Sequence, residues 1–422
     1  MRAVVTRSSV EGVVKAPPSK SYTHRALVCS ALASGRSLIF SPCPCRDTEA
    51  TINTLNRLSI EIVKHSPLLW EVNGGTLRKT DAYLDCEESG TTLRFISALC
   101  SLTGEEFIVS GSPSLLKRPV GELVNGLRQL GAECSCSGGF PPVFVKGKLR
   151  GGEARIRGDV SSQFVSALLL AAPAAEKEVH LTLTTKPKSK PYILMTLSLQ
   201  SEFGIRIESS RDLTEFWVGC QSYKARSCRI EGDWSSASYF LAAGALTGRV
   251  KVKGLKLDSL QADKEILDVL RQMGAKVATS SNEIIVEGSS RLEAVEFEVS
   301  DCPDLFPLLA VLCAVARGRS LIRGVERVRF KESDRVEAVV EGLVKMGIKA
   351  LYRNGHVVIE GSKPKGAVID PRNDHRIAMA FAILGLTADG ETIIENAECV
   401  SKSFPDFWGK LESLKASLKI MP

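Results

Sequence analysis

The sequence predicts an α/β protein of two domains, each assembled from three copies of one unit. Two recurring patterns carry this. The first is a helix that ends in Leu, Met or Phe, then Gly, then a short strand. It occurs as GLRQLGAEC around Gly131, SLQSEFGIRI around Gly204, VLRQMGAKV around Gly274 and GLVKMGIKA around Gly347. Weaker copies are TLNRLSIEI around Ser59 and LESLKASLKI around Lys415. The second is an apolar helix that runs through a small-residue turn into a strand, with turn glycines Gly35, Gly104, Gly248, Gly318 and Gly390. Both patterns return about every 70 residues, so a chain of 422 residues holds six units.

Taken in order, Met1-Arg2-Ala3-Val4-Val5 reads at once as a strand. It has neither a charged-then-apolar leader nor an Arg/Ser-rich transit segment, which predicts a cytoplasmic protein. The last unit lacks the hairpin that follows Gly131 or Gly274, and the N-terminal strand at about residues 2–15 is expected to complete it. The chain then folds back on itself. Residues 1–16 with 231–422 form one domain, and 17–230 form an inserted one. In each unit the first helix, such as FVSALLLAAPAAEK or LFPLLAVLCAVARG, is apolar on nearly all sides and is expected to be buried. The second is amphipathic, with charges such as Arg271 and Lys345, and is expected to cover the outside of a sheet. The glycines after it suit a helix C′ position, where the backbone turns left-handed.

Composition narrows the function. Lys plus Arg number 55 against 48 Asp plus Glu, a formal charge of +7. Aromatics are only 6%, and no stretch interleaves them with basic residues as a base-stacking platform requires. Nucleic acid is therefore not favoured. No apolar run approaches the roughly 18 residues of a membrane span. The chain has twelve cysteines, but no C-x-x-C pair occurs and the five histidines are scattered, so zinc-ligand spacing is absent. Cys43-Pro44-Cys45 and Cys134-Ser135-Cys136 are poor metal candidates. Cys29, Cys100 and Cys313 lie in apolar helical runs, where a thiol acts as a small hydrophobe, and reduced thiols are expected. No metal is expected.

The polar residues fall at fixed places in the repeat. The first helices start at Ser19-Lys20-Ser21 with Arg25, at Ser89-Gly90-Thr91-Thr92 with Arg94, and at Ser161-Ser162-Gln163. In the second half they start at Asp233-Trp234-Ser235-Ser236, Asp301 through Asp304, and Asn373-Asp374-His375-Arg376. N-capping explains one polar residue per helix. It does not explain Lys20, Arg94, Gln163 or Arg376, because a cation in a first turn opposes the helix dipole and calls for an anion nearby. The second helices start at Arg46-Asp47-Thr48, Lys117-Arg118-Pro119, Ser189-Lys190-Pro191-Tyr192, Gln261-Ala262-Asp263, Lys331-Glu332-Ser333-Asp334-Arg335 and Lys402-Ser403-Phe404-Pro405. If the units are related by symmetry, these starts converge on the two domain faces, and the cleft between them suits a ligand with several negative charges. Asp304 and Glu332 lie at the two helix starts of the fifth unit. Beside Lys331 and Arg335 they are either plain ion pairs or acid/base groups.

These motifs, in this order from residue 19 to residue 406, resemble the EPSP synthases, the 3-phosphoshikimate 1-carboxyvinyltransferases within the enolpyruvyl transferases. The resemblance implies a two-domain inside-out α/β barrel of six βαβαββ units, three per domain. It implies transfer of the enolpyruvyl group of phosphoenolpyruvate to the 5-hydroxyl of shikimate 3-phosphate, as a monomer, with these small molecules as the partners and no cofactor. It places Lys20, Ser21, Arg25, Ser161, Ser162, Gln163, Ser189, Tyr192, Asp304 and Lys331 on shikimate 3-phosphate. It places Lys20, Gly90, Arg118, Gln163, Arg335, Arg376 and Lys402 on phosphoenolpyruvate, and gives Asp304, Glu332 and Lys20 the proton transfers. It also implies inhibition by glyphosate competing with phosphoenolpyruvate, since Gly90 has no side chain to crowd that site. One position departs: Arg327 stands where some members have an Asn that orients shikimate 3-phosphate.

Two other readings are distinguishable. The sister transferase acting on UDP-N-acetylglucosamine usually carries a loop cysteine a few residues before the Arg-Pro that matches Arg118-Pro119. Here that loop is Ser112-Pro113-Ser114-Leu115-Leu116. An RNA-end-processing protein on a related repeat is permitted by the +7 charge, but the low aromatic content and the cations at helix starts argue against it.

Overall fold

The computed structural model describes residues 1–288 and 291–422. The chain divides into two compact units, Met1–Pro17 with Glu231–Pro422, and Pro18–Ile230. Each has its own hydrophobic core.

Among the described residues, six four-stranded sheets share one pattern. In the copy around Gly131, Tyr83–Asp85 runs parallel to Gly104–Ser110, Phe140–Gly147 runs antiparallel to Gly104–Ser110, and Glu133–Ser137 closes the edge. The parallel pair needs a crossover, and the Gly90–Cys100 helix supplies it; the antiparallel hairpin of Glu133–Ser137 and Phe140–Gly147 needs only the tight Gly138-Gly139 turn. Within the strands, burial alternates. In Gly152–Ile156, Glu153 and Arg155 face solvent while Ala154 and Ile156 are buried.

The first helix of each copy is internal. In His375–Gly385 every residue is buried, and in Trp234–Thr247 residues 234–245 are. The second helices differ from the expectation. They do not cover the outer face of a sheet, which is solvent-exposed. They pack inward, on the next copy. A Cβ on Gly126, in the Gly121–Gln129 helix, would meet Leu168 Cδ1 at 2.8 Å and Ile156 Cγ2 at 3.1 Å. At the matching place in the other unit, a Cβ on Gly342 would meet the Phe381 ring at 2.3 Å. An outward-facing sheet needs only polar alternation, whereas the apolar stripe of the second helix must be buried.

All six helix ends seen in the sequence turn left-handed. Gly131, Gly204, Gly274 and Gly347 have φ between 80° and 93°, and the two weak copies follow, with Ser59 at 63° and Lys415 at 67°. The repeat is therefore held by the backbone even where glycine is missing.

The N-terminal segment is two strands, which corrects the single-strand expectation. Arg2–Val5 completes the last sheet, between Thr392–Ile394 and Leu418–Met421. Glu11–Lys15 instead runs parallel to Arg249–Lys253 in the fourth copy. In the inserted unit Ser227–Arg229 runs parallel to Gly35–Phe40 in the first copy. A copy that follows a chain crossing thus takes its first strand from the segment that led into the crossing or from the end of its unit.

Candidate active site

Capping is the first fact at the helix starts. Ser19, Ser89, Ser161, Asp233 and Asp374 each accept a backbone N–H of the helix they precede, for example Asp233 Oδ1 from Ser236 at 2.7 Å. The first helix of the fifth copy, Phe306–Val315, has no side-chain cap. Its lead-in turn, Pro303–Leu305, carries Asp304, whose carboxylate goes to three cations.

In the 18–230 unit, Lys20 is answered by Asp47, with Nζ to Oδ2 at 2.6 Å. Arg25 is 2% exposed. Its Nε donates to Thr196 Oγ1 at 2.7 Å, and its two terminal nitrogens donate to the carbonyls of Ser21 and Tyr192 at 3.0 Å each. One of them also reaches Ser166 Oγ at 3.4 Å, and the Phe95 ring lies 5.4 Å away. These partners are neutral. Burial lowers the guanidinium pKa to about 10, so Arg25 stays charged at neutral pH. Ser21, Arg25 and Tyr192 are therefore one group.

A second group surrounds Gln163. Arg94 donates to Gln163 Oε1 and, at 3.2 Å, to the Pro119 carbonyl, over the Phe164 ring. Gln163 Nε2 donates to Thr91 Oγ1 at 2.9 Å. Arg118 is buried against Gly90: a Cβ there would lie 2.7 Å from its guanidinium carbon. Ser161 and Ser162 lead into the same helix as Gln163, and Ser189 turns left-handed at φ 56° before the Lys190–Glu202 helix. Beneath these starts, His24 Nδ1 is 2.7 Å from Thr51 Oγ1, and Thr51 is 2.6 Å from Thr92. Burial lowers the His24 pKa to about 3, so this histidine is neutral and structural.

The other unit holds a denser cluster. Asp304 accepts from Arg335 at 2.9 Å, from Arg376 at 3.1 Å and from Lys331 at 3.4 Å. Arg335, 1% exposed, also donates to Glu332 at 2.7 Å and through Nε to Asp374 at 2.8 Å. Asp374 further accepts from Ser333 and from the Arg376 backbone N–H. Burial by itself would raise the Asp304 pKa, but Arg376, Lys331 and Arg335 outweigh it and hold the carboxyl well below the usual range. Burial would lower Arg335, but Asp374, Glu332 and Asp304 hold it above. Lys402 is buried at the end of the Ala397–Lys402 turn, and Arg327 is half-buried on the Glu326–Phe330 turn.

The profile of the EPSP synthases, 3-phosphoshikimate 1-carboxyvinyltransferases, matches residues 4–411. The chain belongs to the EPSP synthase family. A 3-phosphoshikimate 1-carboxyvinyltransferase of Dehalococcoides mccartyi is 41% identical over 415 residues, 98% of each chain. One of Methanocaldococcus jannaschii is 40% identical over 97% of each. The solved EPSP synthase of Acinetobacter baumannii shares the fold over the whole of both chains, with a TM-score of 0.83 and 25% identity. The two-domain α/β architecture is thus that of the EPSP synthases.

Against that family background, some of the groups found here lay outside the site residues read from the sequence. Asp374 looked like a cap, yet it is also the closest carboxylate to Arg335 Nε. Asp47 and Asp263 looked like second-helix starts. Asp263 is 1% exposed and accepts from Ser235. The signal available in the sequence was their shared place in the repeat, three copies apart.

Proposed function

We propose that this EPSP synthase family member transfers the enolpyruvyl group of phosphoenolpyruvate to the 5-hydroxyl of shikimate 3-phosphate, releasing phosphate, in the shikimate pathway of aromatic amino acid biosynthesis. The observation that carries the mechanism is Asp304 and Glu332 bridged by one buried guanidinium, Arg335.

Each substrate brings a phosphate and a carboxylate, which suits planar guanidinium forks. In the 18–230 unit, Lys20, Ser21, Arg25, Ser161, Ser162, Gln163, Ser189 and Tyr192 take shikimate 3-phosphate. Lys20, Gly90, Arg118 and Gln163 take phosphoenolpyruvate. In the other unit Arg335, Arg376 and Lys402 add cations for phosphoenolpyruvate, and Asp304 and Lys331 address shikimate 3-phosphate. Asp304 takes the 5-hydroxyl proton as that oxygen attacks C2 of phosphoenolpyruvate. Glu332 delivers a proton to C3, which becomes a methyl group, and a tetrahedral intermediate results. Removal of a methyl proton and departure of phosphate then regenerate the enol ether, so the same carboxylates serve both halves. Lys20 assists the proton transfers and neutralises the phosphate. Among the described residues no helix is long and apolar enough to cross a membrane. The reading places the enzyme in the cytoplasm as a monomer working without metal or organic cofactor.

A coupled phosphate-release assay tests this. Phosphate should appear from phosphoenolpyruvate only when shikimate 3-phosphate is present, and glyphosate should compete with phosphoenolpyruvate. Release driven by UDP-N-acetylglucosamine, or by neither acceptor, overturns it.

A further inference from the structure

Beneath three helix starts of the 18–230 unit runs a row of polar side chains that the reaction above does not use. The helices are Lys20–Leu32, Arg46–Asn56 and Gly90–Cys100. His24 Nδ1 is 2.7 Å from Thr51 Oγ1, and Thr51 Oγ1 is 2.6 Å from Thr92 Oγ1. Thr92 in turn donates to Ser89 Oγ at 2.6 Å. All four residues are buried.

The row has a direction. Thr92 acts as a donor, to Ser89 Oγ at 2.6 Å or to the Asp47 carbonyl at 3.3 Å. A hydroxyl has one proton, so the Thr92 oxygen accepts from Thr51. Thr51 has then spent its own proton, and it accepts from an N–H on His24 Nδ1. That leaves Nε2 as a bare lone pair, and Nε2 is buried with no hydrogen-bond partner among the described residues. Folded proteins tolerate a buried orphan acceptor more often than a buried orphan N–H. Both considerations select the same tautomer.

The ends of the row carry function. His24 lies one helical turn after Lys20, on the same face. Thr51 lies one turn after Asp47, which holds the Lys20 ammonium at 2.6 Å. At the far end Ser89 caps the third helix, accepting the Thr92 N–H at 3.2 Å. The next residue is Gly90, whose backbone faces the Arg118 guanidinium. Three first turns are thus tied together from below, with Lys20 above one end and Gly90 above the other.

We propose that His24 is a positioning residue that holds Lys20 and Gly90 in register through Thr51 and Thr92, and so sets the affinity for phosphoenolpyruvate. A leucine at position 24 fills the space but cannot donate to Thr51. An asparagine carries an amide nitrogen as many bonds from the backbone as ring Nδ1, so it keeps the donor. The assignment of Lys20 and Gly90 to phosphoenolpyruvate rests on the reaction proposed above; the row and its direction do not.

The test joins nitrogen-15 NMR of the unliganded full chain, labelled at its five histidines, to steady-state kinetics. The histidine signal that disappears in His24→Asn should show a protonated Nδ1 and an unprotonated Nε2 at neutral pH. His24→Leu and Thr92→Val should each raise the KM for phosphoenolpyruvate about tenfold, while kcat falls less than about threefold and the KM for shikimate 3-phosphate stays within about twofold. The double variant should be no worse than the poorer single one, because both break the same row. His24→Asn should restore a KM near that of the wild type. A proton on Nε2 overturns the direction of the row whether or not the enzyme turns over the proposed substrates. Wild-type turnover tests the reaction, and the variants test the row. An unchanged KM for phosphoenolpyruvate, or equal losses for both substrates, overturns the positioning role. If His24→Leu does not fold, Thr92→Val decides in its place by the same two criteria.

Discussion

Arg25 in the 18–230 unit and Arg335 in the other are 2% and 1% exposed, yet their partners differ in kind. Arg25 is held by hydroxyls, carbonyls and a ring, so its positive charge is oriented but not cancelled. Arg335 is held by three carboxylates, from Asp304, Glu332 and Asp374. The repeat puts cations at helix starts in both units, and the neighbours give them opposite chemistry. An uncancelled buried cation is a receptor for an anion. A cation inside a carboxylate cluster is an organiser of acids and bases.

The contrast breaks or holds on a matched pair of substitutions. Arg335→Met leaves three carboxylates facing one another without their shared partner, and should cost about 3–5 kcal/mol of stability along with most of the turnover. Arg25→Met strands only neutral groups and should cost about 1–3 kcal/mol while abolishing shikimate 3-phosphate binding. Urea unfolding read beside calorimetric binding separates the two, and equal stability losses would end the comparison. Next in size, Glu332→Gln keeps the shape and an acceptor for Arg335 but cannot carry the proton. Turnover should fall about 10²- to 10⁴-fold with binding nearly normal. Near-normal turnover would remove Glu332 from the mechanism. Gly90→Ala tests the receptor side more gently. The new methyl must displace the Arg118 guanidinium, so the KM for phosphoenolpyruvate should rise about tenfold, with little change in stability.

The smallest effect is a pH dependence of stability in the carboxylate-rich unit. Asp263 has its proton affinity raised by folding, so between the ordinary Asp value and about 7 the folded chain holds a proton that the unfolded chain has released. Stability therefore falls as pH rises through that window. Asp263→Asn should melt higher than the wild type at pH 8, and the gain should shrink toward pH 4. A gain that does not vary with pH would mean that Asp263 does not titrate there.

Much of the frame of the candidate site is legible in the chain. Ser19, Asp233 and Asp374 announce helix starts by capping chemistry that is local in the chain, and the cations beside them follow the same period. The second helices pack inward, against the expectation, because an amphipathic stripe says that one face is buried without saying against what. The inward packing rests on Gly126 meeting Leu168 and Gly342 meeting Phe381, contacts between residues about 40 apart. One N-terminal strand over about residues 2–15 is the expectation because valines lie on both sides of residues 6–10, and only pairing with Arg249–Lys253 separates Glu11–Lys15 from Arg2–Val5.

By itself the sequence determined the sixfold repeat, the helix starts and ends, and which residue types sit at each start, since caps, left-handed ends and apolar periodicity act over a few residues. The tertiary structure decided which carboxylate meets which cation. Asp47 found Lys20, while Asp263, at the same place in the repeat, found a serine and the field of Asp304 and Arg376. Charge interactions under burial depend on distances set by packing across the whole unit, and no local pattern in the chain encodes those distances.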